Sequence, residues 1–339
     1  IAILGAIGRI DVVIVVGKLG MELVGLPIEK PVEPVESTLK RPVREGARGR
    51  LPPGLVSHSF SEAPTHPHTF YRWSALAQLL PYLEGENLRK LLDLNLPLYM
   101  PGPGYPIADR NRPGVAKIVA DFLCPSDGGL RVKDAFGPTN YAACAGSGSD
   151  GGTPFRTDGL FYVNSGVKTE DIRDGASHTI AFSESLLGAD TRRDSGGAYS
   201  GFTPQRSYKF VLGFGGSPAL TDAKCSRTEA YNSTSGNGND PRGFAWCSGE
   251  YRSALYNHYY PPNSREYDCI SSVTSDPTPP PAKPYLYAAY GWRAARSTHP
   301  GGVNALFADG SVRFVRQTIP IRTLAALVTR NGGEVFSDN

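Results

Sequence analysis

Glycine and proline punctuate this chain so densely that long helices are excluded. Its 339 residues include 39 glycines and 29 prolines, about one residue in five, against roughly one in eight in average usage. Glycine weakens a helix interior and proline breaks it, so a helical bundle, a coiled coil and a helical solenoid are all poor descriptions. The chain is not disordered for that reason. Forty per cent hydrophobic and 20% charged residues is the balance of a globular protein, long enough for one large domain or two smaller ones. Lys plus Arg number 35 against 32 for Asp plus Glu, a formal charge of +3. That charge is too small and too dispersed to attract nucleic acid or an anionic membrane.

Residues 1–50 stand apart from the rest. Arg9, Asp11, Lys18 and Glu22 interrupt their apolar runs, which fall short of the ~20 apolar residues of a membrane span. The order of charge and apolar residues does not match a signal peptide either. Residues 12–16 read as a short strand, and 27–50, with Pro27, Pro31, Pro34 and Pro42, as linker. From Leu51 the pattern is more regular. Residues 70–86 carry Trp73, Leu76, Leu79, Leu80 and Leu83 at helical spacing, with Pro81 ending or kinking the helix, and 115–122 place Val115, Ile118, Val119 and Phe122 on one helical face. Short strands are expected at 140–145, 159–163, 179–183 and 208–213. Residues 190–290 read as a long, loop-rich insertion, with polyproline at Pro279–281.

The C-terminal part is the most explicit. Residues 304–308 and 312–315 alternate around Asp309-Gly310-Ser311, and Asp-Gly supplies the left-handed conformation of a tight turn, so this is a β-hairpin. A short helix over 321–328 follows, with Leu324, Leu327 and Val328 inward and Asn331-Gly332-Gly333 as its cap. The body therefore reads as α+β, with short helices packed on a mainly antiparallel sheet.

Five cysteines, none in a C-x-x-C pair, are too few for a disulfide scaffold or a zinc ribbon. Cys124 and Cys144 lie upstream; Cys225, Cys247 and Cys269 fall in the insertion, where one bridge is expected among the three. Two bridges with a leftover thiol and a fully reduced chain both fit the count.

Three segments then carry a family resemblance. The first is LPPG at 51–54 with WSALAQLLPYLE at 73–84. The second is FLCPSD at 122–127 with Asn140-Tyr141, DGASHTI at 174–180 and Glu184. The third is HPGGVNALFADG at 299–310, an H-x9-D-G motif, followed by NGGEV at 331–335. In order and spacing, residues 51–339 resemble a bacterial family of pseudopilin-like, secreted proteins of unknown function, once labelled solute-binding family 10. The resemblance implies a pilin-like α+β body, export to the cell envelope or beyond, and partners among similar subunits or a type II secretion-like or pilus assembly system. Family members usually open with a prepilin cleavage site, an apolar helix and a further Cys, whose implied partner here is Cys124. Residues 1–50 do not match that opening, so they are expected to be a linker or the product of a misplaced reading start. Membrane contact is expected only through a native apolar N-terminal helix. The family motif places Cys124, Pro125, Asp127, Asp174, Gly175, Glu184, His299, Asp309 and Gly310 in roles expected to be structural.

Chemistry-bearing candidates are few. Gly146–Gly151 formally matches G-x-G-x-x-G, but a turn-rich stretch follows where a dinucleotide site needs a helix. His299 has the pKa class of a ligand or base, yet no second His or Cys stands at metal spacing and no G-x-S-x-G is present. A hydrogen-bonded positioning role with Asp309 is the expectation. Glu184 has no partner carboxylate in sequence. His66 and His68 with His58 lack a fourth ligand, and Asp150 and Asp158 match no EF-hand, leaving only a weak calcium candidate. Asn232-Ser233-Thr234 is a sequon of little meaning in a bacterial protein. The tyrosines of the insertion, among them Tyr251, Tyr256, Tyr259, Tyr260, Tyr285, Tyr287 and Tyr290, offer either a binding face or core filling. No catalytic residue, metal or cofactor is expected. The expected function is non-enzymatic, structural or adhesive, with an extracellular solute- or glycan-binding module as the alternative.

Overall fold

The computed structural model describes residues 49–62, 70–83, 85–128, 135–188, 203–211, 240–271 and 290–334, with Leu220 and Cys225. It also describes the backbone of five strands, Gly5–Ile7, Ile10–Gly17, Gly20–Val24, Thr274–Ser275 and Tyr285–Leu286. His66, His68, Asn232, Tyr287 and Pro279–281 lie outside the described residues. The first three strands form an antiparallel meander.

The centre of the molecule is a five-stranded sheet. Its spatial order is Val312–Arg316, Gly302–Phe307, Ile180–Glu184, Tyr141–Cys144 and Leu255–Tyr256. All pairs are antiparallel except the last, where Ala143 faces Leu255 in parallel register. Both faces are covered. Tyr141 and Ala143 join the larger core, which includes Trp73, Leu76, Phe122, Phe161, Phe182 and Trp246. Ala142 and Cys144 point the other way, into a second core with Val303, Phe307, Val315, Leu324 and Val328. Alternation along a strand delivers successive side chains to opposite faces, so a doubly covered strand such as Tyr-Ala-Ala-Cys carries no polar positions. The protein is thus a mixed α+β fold with short helices and mostly antiparallel sheets.

The helices are shorter than the periodicity predicts. Ser74 caps the first, its hydroxyl accepting from the Ala77 N–H at 3.1 Å, and the helix spans only Ala75–Leu79. Pro81 has no N–H to continue the ladder, and the chain tightens into a 3-10 turn at Leu80–Tyr82. The expected helix at 115–122 is two pieces, Arg112–Val115 and the 3-10 turn Ala120–Phe122, separated by extended Val119. Val115 and Phe122 are buried, but Ile118 faces solvent. Residues 159–163 form no regular strand; only Val163 bridges, to Leu55. They run against the Pro-Pro-Gly segment, where a Cβ on Gly54 would meet the backbone of Phe161 and Tyr162 at 2.9 Å.

The stretch 240–271 of the insertion is loop-rich as expected, yet it is packed into the core: Phe244, Trp246, Cys247 and Tyr251 are buried, and Leu255–Tyr256 completes the main sheet. A second sheet pairs Asp268–Ser271 with Tyr290–Trp292 and, in parallel, with Tyr208–Val211. Between the sheets lies a buried ionic cluster. Asp268 pairs with Arg242 and Arg296, each at 2.8 Å, and Arg293 approaches at 3.7 Å. Burial pushes the Asp268 carboxyl up, but the three arginines outweigh it and hold it below the ordinary range. Mutual pairing lets these charged residues be buried. A disulfide joins Cys225 to Cys269, with Cα atoms 5.8 Å apart; Cys247, Cys124 and Cys144 are buried thiols.

Candidate functional site

The family-motif segments converge at one end of the strand Ile180–Glu184. Glu184 closes that strand opposite Tyr141, and its neighbour Ser183 faces Ala305. Its carboxylate, 5% exposed, accepts the Asn304 N–H at 2.7 Å and the Asn304 amide at 3.2 Å. His299 reaches the same carboxylate from the loop that enters the hairpin. Its Nε2 lies 3.1 Å from Glu184 Oε1.

Local hydrogen bonds set that loop. The Ser297 hydroxyl accepts the His299 N–H at 3.1 Å and donates to the Gly302 carbonyl at 2.8 Å. Asn263 fastens the same turn, accepting the Ser297 N–H at 2.8 Å and donating to Gly302 at 3.0 Å. Cys124 arrives from a third direction, between the turns Ala120–Phe122 and Pro125–Asp127. Asn140 holds it there. Its side-chain oxygen accepts the Cys124 N–H at 2.9 Å, and its amide donates to Asp127 at 2.6 Å and to the Ser185 carbonyl at 3.0 Å. Asp127 also accepts the Leu187 N–H at 2.8 Å and pairs with Arg206 at 2.5 Å. The FLCPSD turn is thus stapled to the end of the Glu184 strand, and Thr298 reaches across to the Ser126 carbonyl at 3.3 Å. Pro125 begins the 3-10 turn, where its missing N–H costs nothing.

The result is a cluster that sequence spacing hides. The Cys124 sulfur, a Glu184 oxygen and a ring nitrogen of His299 all lie within 4.8 Å of one another. Cys124 and Glu184 are buried, whereas the His299 side chain is 34% exposed. Sequence reasoning found no second ligand for His299 because it looked for neighbours along the chain; the partners come from distant segments.

The other motif residues serve the frame. Asp309 accepts the Ser311 N–H at 2.9 Å and its hydroxyl at 2.7 Å, closing the hairpin tip, and Gly310 adopts φ +90° there. The strand Gly302–Phe307 separates Asp309 from His299 by roughly 20 Å at ~3.3 Å per residue, so the two act at opposite ends of the hairpin rather than on one loop. Asp174, beside Gly175, accepts the N–H groups of Gly332 and Gly333 at 2.6 and 2.8 Å, which binds the C-terminal NGG segment to the turn that precedes the strand Ile180–Glu184. The glycine run 146–151 is a turn with Gly146, Gly148 and Gly151 at positive φ, and no helix follows it. Asp158 is engaged there by Ser147, and burial together with the neighbouring Asp158 charge pushes the Asp150 carboxyl up to about 6. His58 packs edge-on against Tyr71, ring centroids 5.1 Å apart.

The described tyrosines of the insertion are spent on packing. Tyr251, Tyr256 and Tyr290 are buried, and Tyr259 stacks on Trp292 with centroids 4.0 Å apart. Elsewhere a cleft of about 230 Å3 is lined by Arg72, Tyr99, Tyr105, Phe136, Asp240 and Arg252. Its arginines are paired with carboxylates, Arg72 with Glu250 at 3.4 Å and Arg252 with Asp240 at 3.3 Å. No helix among the described residues is long and apolar enough to cross a membrane.

A family model described as Protein of unknown function (DUF1559), with the short label SBP_bac_10, matches residues 45–322, a span that includes Cys124, Glu184 and His299. No curated protein and no solved structure gives a significant match. The chain belongs to this family of proteins of unknown function.

Proposed function

We propose that this chain is a non-enzymatic, exported protein with a structural or adhesive role, of the pseudopilin-like kind its motifs resemble. It would work in the cell envelope or outside the cell, assembling with similar subunits or with a secretion or pilus assembly system. The observation that carries this reading concerns described tyrosines of the insertion: Tyr251, Tyr256 and Tyr290 fill the core instead of lining a recognition face. The Cys225–Cys269 disulfide adds support, since such bridges persist in oxidising compartments. Fractionating the native host tests it. Recovery of oxidised chain from the envelope or a sheared surface fraction, crosslinked to like subunits, is the expected result. A reduced, monomeric cytosolic pool would contradict it.

One observation favours a second reading, a solute-binding module: the cleft at Tyr99, Tyr105 and Phe136. At about 230 Å3 it lies below the roughly 300–1,000 Å3 of ordinary ligand pockets and suits a small polar solute. A thermal-shift screen of monosaccharides and amino acids, with Tyr105→Ala as control, separates the two readings.

A further inference from the structure

We propose that Cys124, Glu184 and His299 bind a divalent transition-metal ion of the zinc class, leaving one coordination position open to solvent. This does not depend on the reading above. Thiolate, carboxylate and imidazole are all zinc ligands, and three protein ligands with an open fourth position form a recognised arrangement. Ligand atoms of a tetrahedral site stand roughly 3.3–3.8 Å apart for bonds of about 2.0–2.3 Å. The three atoms here already lie within 4.8 Å of one another, and the His299 side chain is only 34% exposed.

Charge points the same way. Four other carboxylates with buried side chains, those of Asp127, Asp240, Glu250 and Asp268, are each paired with arginine. Among the described residues, Glu184 has no arginine or lysine partner; the ring nitrogen of His299 lies 3.1 Å from its carboxylate. A buried carboxylate costs free energy unless it is paired or coordinates a metal. A dication matched to one carboxylate and one thiolate leaves the site neutral. The thiol proton goes to solvent when the metal–sulfur bond forms, and no oxidant or reductant is needed. The rim is accessible, because Pro125, Ser126, Thr298 and Pro300 are all exposed. The supporting hydrogen bonds also suit a metal site: Asn304 orients the carboxylate, and Asn140 fixes the cysteine backbone.

The test uses the full chain, purified with Cys124 reduced and stripped with a chelator. Titration calorimetry with zinc should give one equivalent bound per chain with proton release that rises as pH falls. Cobalt in its place should give a thiolate-to-metal charge-transfer band. Cys124→Ser should abolish that band, and His299→Ala or Glu184→Gln should weaken binding at least about tenfold. His299 is partly exposed, so its variant keeps the test decisive if Cys124→Ser misfolds. Folded, reduced chain that takes up no zinc, or cobalt bound without a sulfur band, overturns the proposal. So does native protein in which Cys124 is held in a disulfide.

Discussion

His299 Nε2 lies 3.1 Å from Glu184 Oε1 although 115 residues separate the two in the chain. The contact explains why an H-x9-D-G motif at one end of the protein and a strand-end glutamate near its middle belong together. The histidine begins the hairpin loop, and the asparagine five residues later donates twice to the same carboxylate. Asp309-Gly310, at the other end of the motif, turns the hairpin.

Asn140 ties the cysteine turn to the sheet, so its loss should be felt in stability. Asn140→Ala removes hydrogen bonds to Cys124, Asp127 and Ser185 and leaves buried partners unsatisfied. A loss of about 2–4 kcal/mol in urea unfolding is expected. A change below about 0.5 kcal/mol, the scale of a plain surface substitution, would remove Asn140 from this role.

Asp268 neutralises a cluster of three arginines. Asp268→Asn leaves them buried and uncompensated, and should cost about 3–5 kcal/mol or prevent folding. If the chain fails to express, Arg293→Met offers a milder probe of the same cluster. A melting temperature unchanged in both variants would contradict the ion-pair account.

His258 is 1% exposed, and burial holds its imidazole down at about 3. In the unfolded chain the ring takes up a proton near pH 6.5, while the folded form resists it. Its stabilising contribution is therefore complete above pH 6.5 and is lost as pH falls from there towards about 3, at up to about 1.4 kcal/mol per pH unit. Denaturation curves of wild type and His258→Phe between pH 7 and pH 5 should converge as pH drops. Parallel curves would mean that the ring titrates normally.

Much of the frame was legible in sequence because its signals are local. Asp309-Gly310 announces a hairpin through backbone conformation alone, and alternation at 304–308 and 312–315 gives its strands. Two other kinds of feature were hidden. The Pro81 break in 70–86 was legible, but the helix at 115–122 was overestimated because spacing records burial and not the extended Val119. Residues 240–271 are loop-rich as expected, but their burial was hidden because their core is partly ionic, with Arg242 and Asp268 buried as a pair that no hydropathy pattern marks. The cluster of Cys124, Glu184 and His299 was invisible for a third reason. Its members sit on separate segments, so no ligand spacing exists to be read. Their shared membership in the family motif was the available signal, and only the sheet order 302–307 beside 180–184 turns it into a site.

That Glu184 and His299 act as one unit is most directly tested by a double-mutant cycle in the presence of a chelator. Glu184→Gln, His299→Ala and the double variant would be compared with wild type by urea unfolding. A coupling of at least about 1 kcal/mol is expected for a buried carboxylate and the imidazole 3.1 Å from it. Effects that add to within about 0.5 kcal/mol would show that the two residues are independent, and the site would come apart.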